Sequence, residues 1–195
     1  MVASAISFTV LLAFLSTLDF ISLDKSKQLN AALTEKRNEV IKVLGNKCAW
    51  SNTLHNPDNA TLNCLKNAVD CNNANGIFNL ENASGSVSVN SISPTGGFQW
   101  NQKVCNEYGT STDQNECPFR LELRWQAVCS NTPCLKPLTK IVGIFKKKNT
   151  ETSGPAINLG KFGFEHIISE GRIFSSCEQA KTLGYSESKY YWIDI

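Results

Sequence analysis

Cysteine carries most of the chemical potential of this 195-residue chain. Its eight cysteines, Cys48, Cys64, Cys71, Cys105, Cys117, Cys129, Cys134 and Cys177, all lie C-terminal to residue 44. A thiol can act as nucleophile, metal ligand or disulfide partner. The nucleophilic form needs a base, and the sequence offers Cys177 with His166 or Cys48 with His55. Zinc needs four ligands in short paired spacings. No Cys-x-x-Cys pair occurs, Cys129 and Cys134 have no second pair nearby, and His55 and His166 are isolated. An even count confined to one side of an apolar N-terminal segment is the pattern of an oxidising compartment, in which the thiols are bonded to one another. No phosphate-binding glycine loop, His-Glu-x-x-His or Gly-x-Ser-x-Gly pattern is present. The expectation is a protein that is not an enzyme and has no metal, cofactor or small-molecule substrate. A formal charge of +2 argues against a nucleic-acid partner, and Lys146, Lys147 and Lys148 read as a solvated strand end that discourages edge pairing.

Spacing suggests some of the pairings. Cys129 and Cys134 bracket Ser-Asn-Thr-Pro, a turn between two strand-like runs, so a bridge there pins a hairpin end. Cys105 and Cys117 would close the polar loop NEYGTSTDQNE. Cys64 and Cys71 fall on the helical pattern ATLNCLKNAVDC, where seven residues amount to about 10 Å of axial rise. That is beyond disulfide reach, so one of them is expected to tie to Cys48, and Cys177 takes what remains. Eight cysteines allow 105 connectivities.

The elements that must position these residues are mainly strands. PFRLELRWQAVC alternates Phe119, Leu121, Leu123, Trp125 and Ala127 with Arg120, Glu122, Arg124 and Gln126, the period of a half-buried strand. LTKIVGIFK, across the Cys129 to Cys134 turn, should pair with it antiparallel. GSVSVNSIS and FGFEHIIS offer two further strands, the second with Phe162, Phe164, His166 and Ile168 on one face and Glu165 on the other. SSCEQAKTLG reads as a short helix with Ser175 and Glu178 in a capping box and Gly184 as its stop. The tail aromatics Tyr190, Tyr191 and Trp192 suit a terminal strand that buries them. Asparagine is frequent between residues 46 and 106, which favours turns and long polar loops, and Asn59-Ala60-Thr61 and Asn82-Ala83-Ser84 match N-glycosylation acceptors.

Ahead of all this stands MVASAISFTVLLAFLSTL, eighteen residues without a charge. At about 1.5 Å per residue they give roughly 27 Å, just short of a hydrocarbon core of roughly 30 Å. A signal peptide needs a basic n-region and a cleavage site, whereas no Lys or Arg precedes Lys25 and no glycine or proline turn residue occurs before Gly45. From Leu29 onward the apolar positions Leu29, Ala32, Leu33, Val40, Val43 and Leu44 form one helical stripe, and Gly45 suits a C′ stop. Residues 1–44 therefore read as one helix, with a membrane segment over 1–18 and an amphipathic part over 19–44. Residues 45–195 form a single extracytoplasmic head.

A helix of this design, carried by MVASAISFTVLLAFLSTLDF, resembles the N-terminal spine of type IV pilins and the pseudopilins of type II secretion. The family's basic leader, the glycine before the scissile bond and the glutamate of its motif would lie upstream of Met1, so the resemblance implies a start upstream. It also implies an α+β fold, with a long N-terminal helix packed on an antiparallel, disulfide-stabilised head. The implied role is a minor pilin or pseudopilin, held in the inner membrane with a periplasmic or extracellular head, whose partners are other pilin or pseudopilin subunits. Spine packing would then fall to small residues such as Ala3, Ser4, Ala5 and Ser7 and to apolar Leu11, Leu12, Phe14 and Leu15. In a bacterium the glycosylation matches would be incidental. The alternative is a membrane-anchored adhesin or ligand-binding domain that does not polymerise.

Overall fold

The computed structural model describes residues 26–99, 102–109, 117–148 and 158–168. Over these residues the protein is α+β, with an antiparallel sheet and three disulfide bridges. The membrane segment 1–18, the Ser175 to Gly184 helix and the aromatic tail fall outside them. Among the described residues no helix is long and apolar enough to cross a membrane.

The first helix, α1, covers described residues 26–44. It stops where the sequence places its stop: the Gly45 amide donates to the Ile41 carbonyl and the Asn46 amide to that of Val43. Asn46 then caps the next helix, α2 (Lys47–His55), its side-chain oxygen accepting from the amides of Cys48 and Ala49. A short 3₁₀ turn (Ala60–Leu62) leads into α3 (Asn63–Lys66). The strands follow as β1 (Asn75–Ile77), β2 (Leu80–Glu81), β3 (Val87–Val89), β4 (Gly97–Phe98), β5 (Val104–Cys105), β6 (Phe119–Val128), β7 (Leu138–Lys147) and β8 (Phe164–Ile168).

The main sheet is ordered β5-β4-β6-β7-β8, with β1 pairing the other half of β6, and every pairing is antiparallel. Its centre is the expected hairpin, in register from Phe119 opposite Lys147 to Val128 opposite Leu138. FGFEHIIS joins the sheet as β8, with Phe164 and His166 buried and Glu165 on the opposite face. Phe162 is buried too, but from the 3₁₀ turn Leu159–Phe162 that precedes the strand. GSVSVNSIS contributes less than expected: only Val87–Val89 is a strand, and it pairs with Leu80–Glu81 in a separate two-stranded sheet.

The core lies between the helices and the inner face of the sheet. α1 contributes Leu29, Leu33, Val40 and Leu44, α2 contributes Trp50 and Leu54, and the hairpin contributes Phe119, Leu121, Leu123, Trp125, Ile141 and Phe145. Burying each such side chain stabilises the fold by about 1.5–3 kcal/mol relative to exposure. Rings fix the relative placement: Trp50 meets Phe78 edge-on at 6.0 Å, and Phe98 stacks on Phe119 at 5.5 Å. Gly143 opposes Phe164 across the β7–β8 pair, and any Cβ at this glycine would overlap the Phe164 ring.

Candidate functional site

The residues expected to carry assembly, Ala3, Ser4, Ala5, Ser7, Leu11, Leu12, Phe14 and Leu15, lie outside the described residues. What the structure does place is the helix that follows them. Its buried stripe runs Leu29, Leu33, Lys36, Val40 and Leu44, at helical spacing. The opposite face, including Lys27, Asn30, Ala31, Thr34, Asn38 and Lys42, is exposed. Lys36 is only 5% exposed: its stem runs along the helix–sheet interface, and its Nζ donates to the exposed Glu39 carboxylate at 2.8 Å. It borders a small cleft whose walls include Val89, Gly97, Phe98, Val104 and Leu121. The charge at position 36 hid this residue from a search for apolar periodicity.

The bridges settle most of the cysteine pairing. Cys129 pairs with Cys134 and Cys105 with Cys117, as the spacing suggests. Cys64 pairs with Cys71, which overturns the expectation that these two are out of reach and that one of them joins Cys48. The reason is backbone direction. The helix ends at Lys66 instead of running on to Cys71, and Ala68, at φ 51°, turns the chain back. The Cα atoms of Cys64 and Cys71 come within 5.3 Å, inside disulfide range. Cys48 is also disulfide-bonded, and Cys177 lies outside the described residues.

Two of these bridges sit side by side. The Cys71 amide donates to the Cys134 carbonyl at 3.0 Å, and the Cys134 amide donates to the Asp70 carboxylate at 2.8 Å. The two small loops are thereby fixed to each other at the Val128–Leu138 end of the hairpin. Of the seven large apolar side chains exposed among the described residues, four belong to this end: Val69, Val128, Leu135 and Leu138. Clustered apolar exposure on a rigid support marks interaction surfaces. The sequence hint was the Val-Cys and Cys-Leu pairs flanking the turn, but only the fold brings Val69 alongside.

The opposite, outward face of the sheet is ionic. Glu122, 4% exposed, accepts from Lys146 Nζ at 2.6 Å and from Arg124, whose Nε lies at 2.7 Å. Burial opposes the charge on Glu122, but the hydrogen bonds from Lys146 and Arg124 outweigh it and hold the carboxyl below the usual glutamate range. Lys140 pairs with Glu165 at 2.5 Å. β8 covers Thr139 to Gly143 of β7, and among the described residues no strand pairs with the lysine-rich end of β7 on that side.

Among the described residues the candidates form no catalytic arrangement, and Cys177, the thiol paired with His166 in the sequence reading, lies outside them. Cys48 is bonded, so it cannot be a thiolate nucleophile, and His55 holds its Nδ1 2.8 Å from the Ser51 carbonyl. His166 faces the core, where burial lowers its pKa and keeps it neutral, while the neighbouring Glu165 is engaged with Lys140 on the other face. Among the described residues no three His, Cys, Asp or Glu side chains are grouped to hold a metal ion. Comparison with known proteins finds no family model, no curated protein and no solved structure that matches this chain.

Proposed function

We propose that the chain is a structural subunit of a pilin-like filament, either a minor pilin of a type IV pilus or a pseudopilin of a type II secretion system. One observation carries the reading: a helix whose lower stripe, Leu29, Leu33, Val40 and Leu44, is built into the core of a disulfide-bonded antiparallel head follows an uncharged eighteen-residue segment in the sequence. A head packed on residues 26–44 would be carried along with the spine that precedes them. Small residues such as Ala3, Ser4, Ala5 and Ser7 suit close helix packing in a membrane. Outside the membrane, the same apolar surfaces would hold spines together at about 25 cal/mol per Å² removed from water.

The exposed cluster of Val69, Val128, Leu135 and Leu138 favours a second reading, a membrane-anchored adhesin whose stapled end binds a partner without polymerisation. Fractionation of cells that express the protein from its own locus separates the two. A filament subunit is recovered in the sheared surface fraction, and Leu11→Lys abolishes that recovery, because a charge near mid-span costs roughly 2.5–3.5 kcal/mol on insertion scales. A protein that stays wholly in the membrane fraction while filaments are shed would leave the anchored adhesin.

A further inference from the structure

The two matches to the N-glycosylation acceptor pattern have opposite structural fates. In Asn59-Ala60-Thr61 the asparagine is 1% exposed and fully used. Its Nδ2 donates to the carbonyls of Thr53 and Asn79 at 2.7 and 2.8 Å, and its Oδ1 accepts from the Asn79 amide at 2.7 Å. An amide nitrogen with both protons committed inside the core is neither reachable nor free to form a new bond.

Asn82-Ala83-Ser84 sits in the turn between β2 and β3, where residues 83–87 are exposed. The turn closes through the Asn82 amide to the Ser86 carbonyl at 2.9 Å and the Gly85 amide to the Asn82 carbonyl at 3.0 Å. It is tied to α2 by Asn52 Nδ2, which also donates to the Asn82 carbonyl, and by Asn56, whose Nδ2 donates to the Glu81 carboxylate. The Asn82 side chain is oriented by its oxygen. Oδ1 accepts from the Ser84 amide, the Ser84 hydroxyl and the Ser86 amide at 3.0, 2.7 and 3.0 Å. Three donors on one atom identify it as the oxygen. Nδ2 is therefore the other atom of this half-buried side chain, and it donates to none of the described groups.

We propose that Asn82, and not Asn59, is an acceptor for N-linked glycan on the extracytoplasmic head, which sets this match apart from the incidental status expected of both in a bacterium and goes beyond the filament reading. The co-reactant is a polyprenyl-pyrophosphate-linked oligosaccharide. Asn82 Nδ2 bonds to the anomeric carbon, the bond from that carbon to the pyrophosphate oxygen breaks, the lipid pyrophosphate leaves, and the amide proton passes to a base of the transferase. The hydroxyl at Ser84, held on the Asn82 carboxamide, is the group that the acceptor pattern requires two residues on. The turn belongs to the small two-stranded sheet, off the main sheet, so a bulky glycan there leaves the β6–β7–β8 surface uncovered.

The test incubates the full chain, folded and disulfide-bonded in detergent, with a purified oligosaccharyltransferase and its lipid-linked oligosaccharide, followed by intact mass and glycopeptide mapping. The expected result is a single glycan increment at Asn82, lost in Asn82→Gln and in Ser84→Ala and retained in Asn59→Gln. Reduction and unfolding before the incubation should add a second increment at Asn59, which shows that the fold and not the sequence protects it. A folded chain that gains no glycan at Asn82, or gains one at Asn59, would overturn the proposal.

Discussion

Glu122 is the most informative single position for the forces on the sheet. Glu122→Gln keeps the shape of the side chain and removes the charge that Lys146 and Arg124 both address, at 2.6 Å in each case. Breaking a buried ion pair costs about 3–5 kcal/mol when the surviving charge is stranded. Here the survivors are not stranded, since the Lys146 and Arg124 side chains are 43% and 54% exposed and recover water. The loss therefore falls to the scale of charge-assisted hydrogen bonds, about 2 kcal/mol at pH 7, or about 4–8 °C in Tm for a chain of this size. The pH dependence fixes the mechanism. A carboxyl whose folded pKa lies below its unfolded value contributes stability that is present above the unfolded pKa, near 4.5, and disappears as pH falls through the folded one. His166, buried and neutral, adds its own loss below about pH 6.5, so the decisive quantity is the difference between wild type and Glu122→Gln at each pH. Guanidinium unfolding from pH 8 down to pH 2, with disulfides intact, should show that difference shrinking to within about 0.5 kcal/mol at the acid end. A difference unchanged between pH 7 and pH 2 would refute an ionic role, and one below about 0.5 kcal/mol at pH 7 would show that the triad is not coupled to folding.

Thiol titration of the unfolded, unreduced protein should find no free thiol, and non-reducing peptide maps should return Cys64–Cys71, Cys105–Cys117 and Cys129–Cys134. With those six paired and Cys48 also bonded, the cysteine count leaves Cys177 as its expected partner, and four or more free thiols would remove the oxidising compartment. Replacing Cys129 and Cys134 by Ser should cost only about 1–3 kcal/mol in denaturant midpoint analysis, because the loop they close is short. Gly143→Ala should destabilise by about 1–3 kcal/mol through its collision with the Phe164 ring, and Phe164→Leu in the same chain should return part of that loss; additive losses would refute the contact.

The hairpin was legible because period-two alternation and a turn bracketed by cysteines gave the same answer from independent residues. The end of α1 at Gly45 was legible for the same reason, with periodicity and stop residue in agreement. Cys64–Cys71 was not, because extending a helical pattern from residue 60 to 71 gave no weight to the asparagines. Asn67 ends the helix, Ala68 and Asn73 take positive φ, and local turn chemistry overrides the apolar spacing. β1, β4 and β5 are two or three residues long and exist only because a neighbouring strand offers an edge, β6 for β1 and β4 and β4 for β5, so no local pattern marks them. Glu122 followed the alternation in direction but not in exposure, because Lys146 and Arg124 cover it. Lys36 broke the apolar stripe by type while keeping it by position. The assembly residues from Ala3 to Leu15 fall outside the described residues, and their role rests on sequence and resemblance.

Cysteine-directed crosslinking in cells tests the filament reading most directly. With the protein expressed from its own locus and a cysteine introduced at Ser4 or Ser7, the seven described native cysteines are bonded, Cys177 is the expected partner of Cys48, and the new thiol is the reporter. Assembly through the spine predicts crosslinked products with other pilin or pseudopilin spines, dependent on an intact apolar segment and lost in Leu11→Lys. A protein that remains monomeric at both positions while filaments assemble would contradict it.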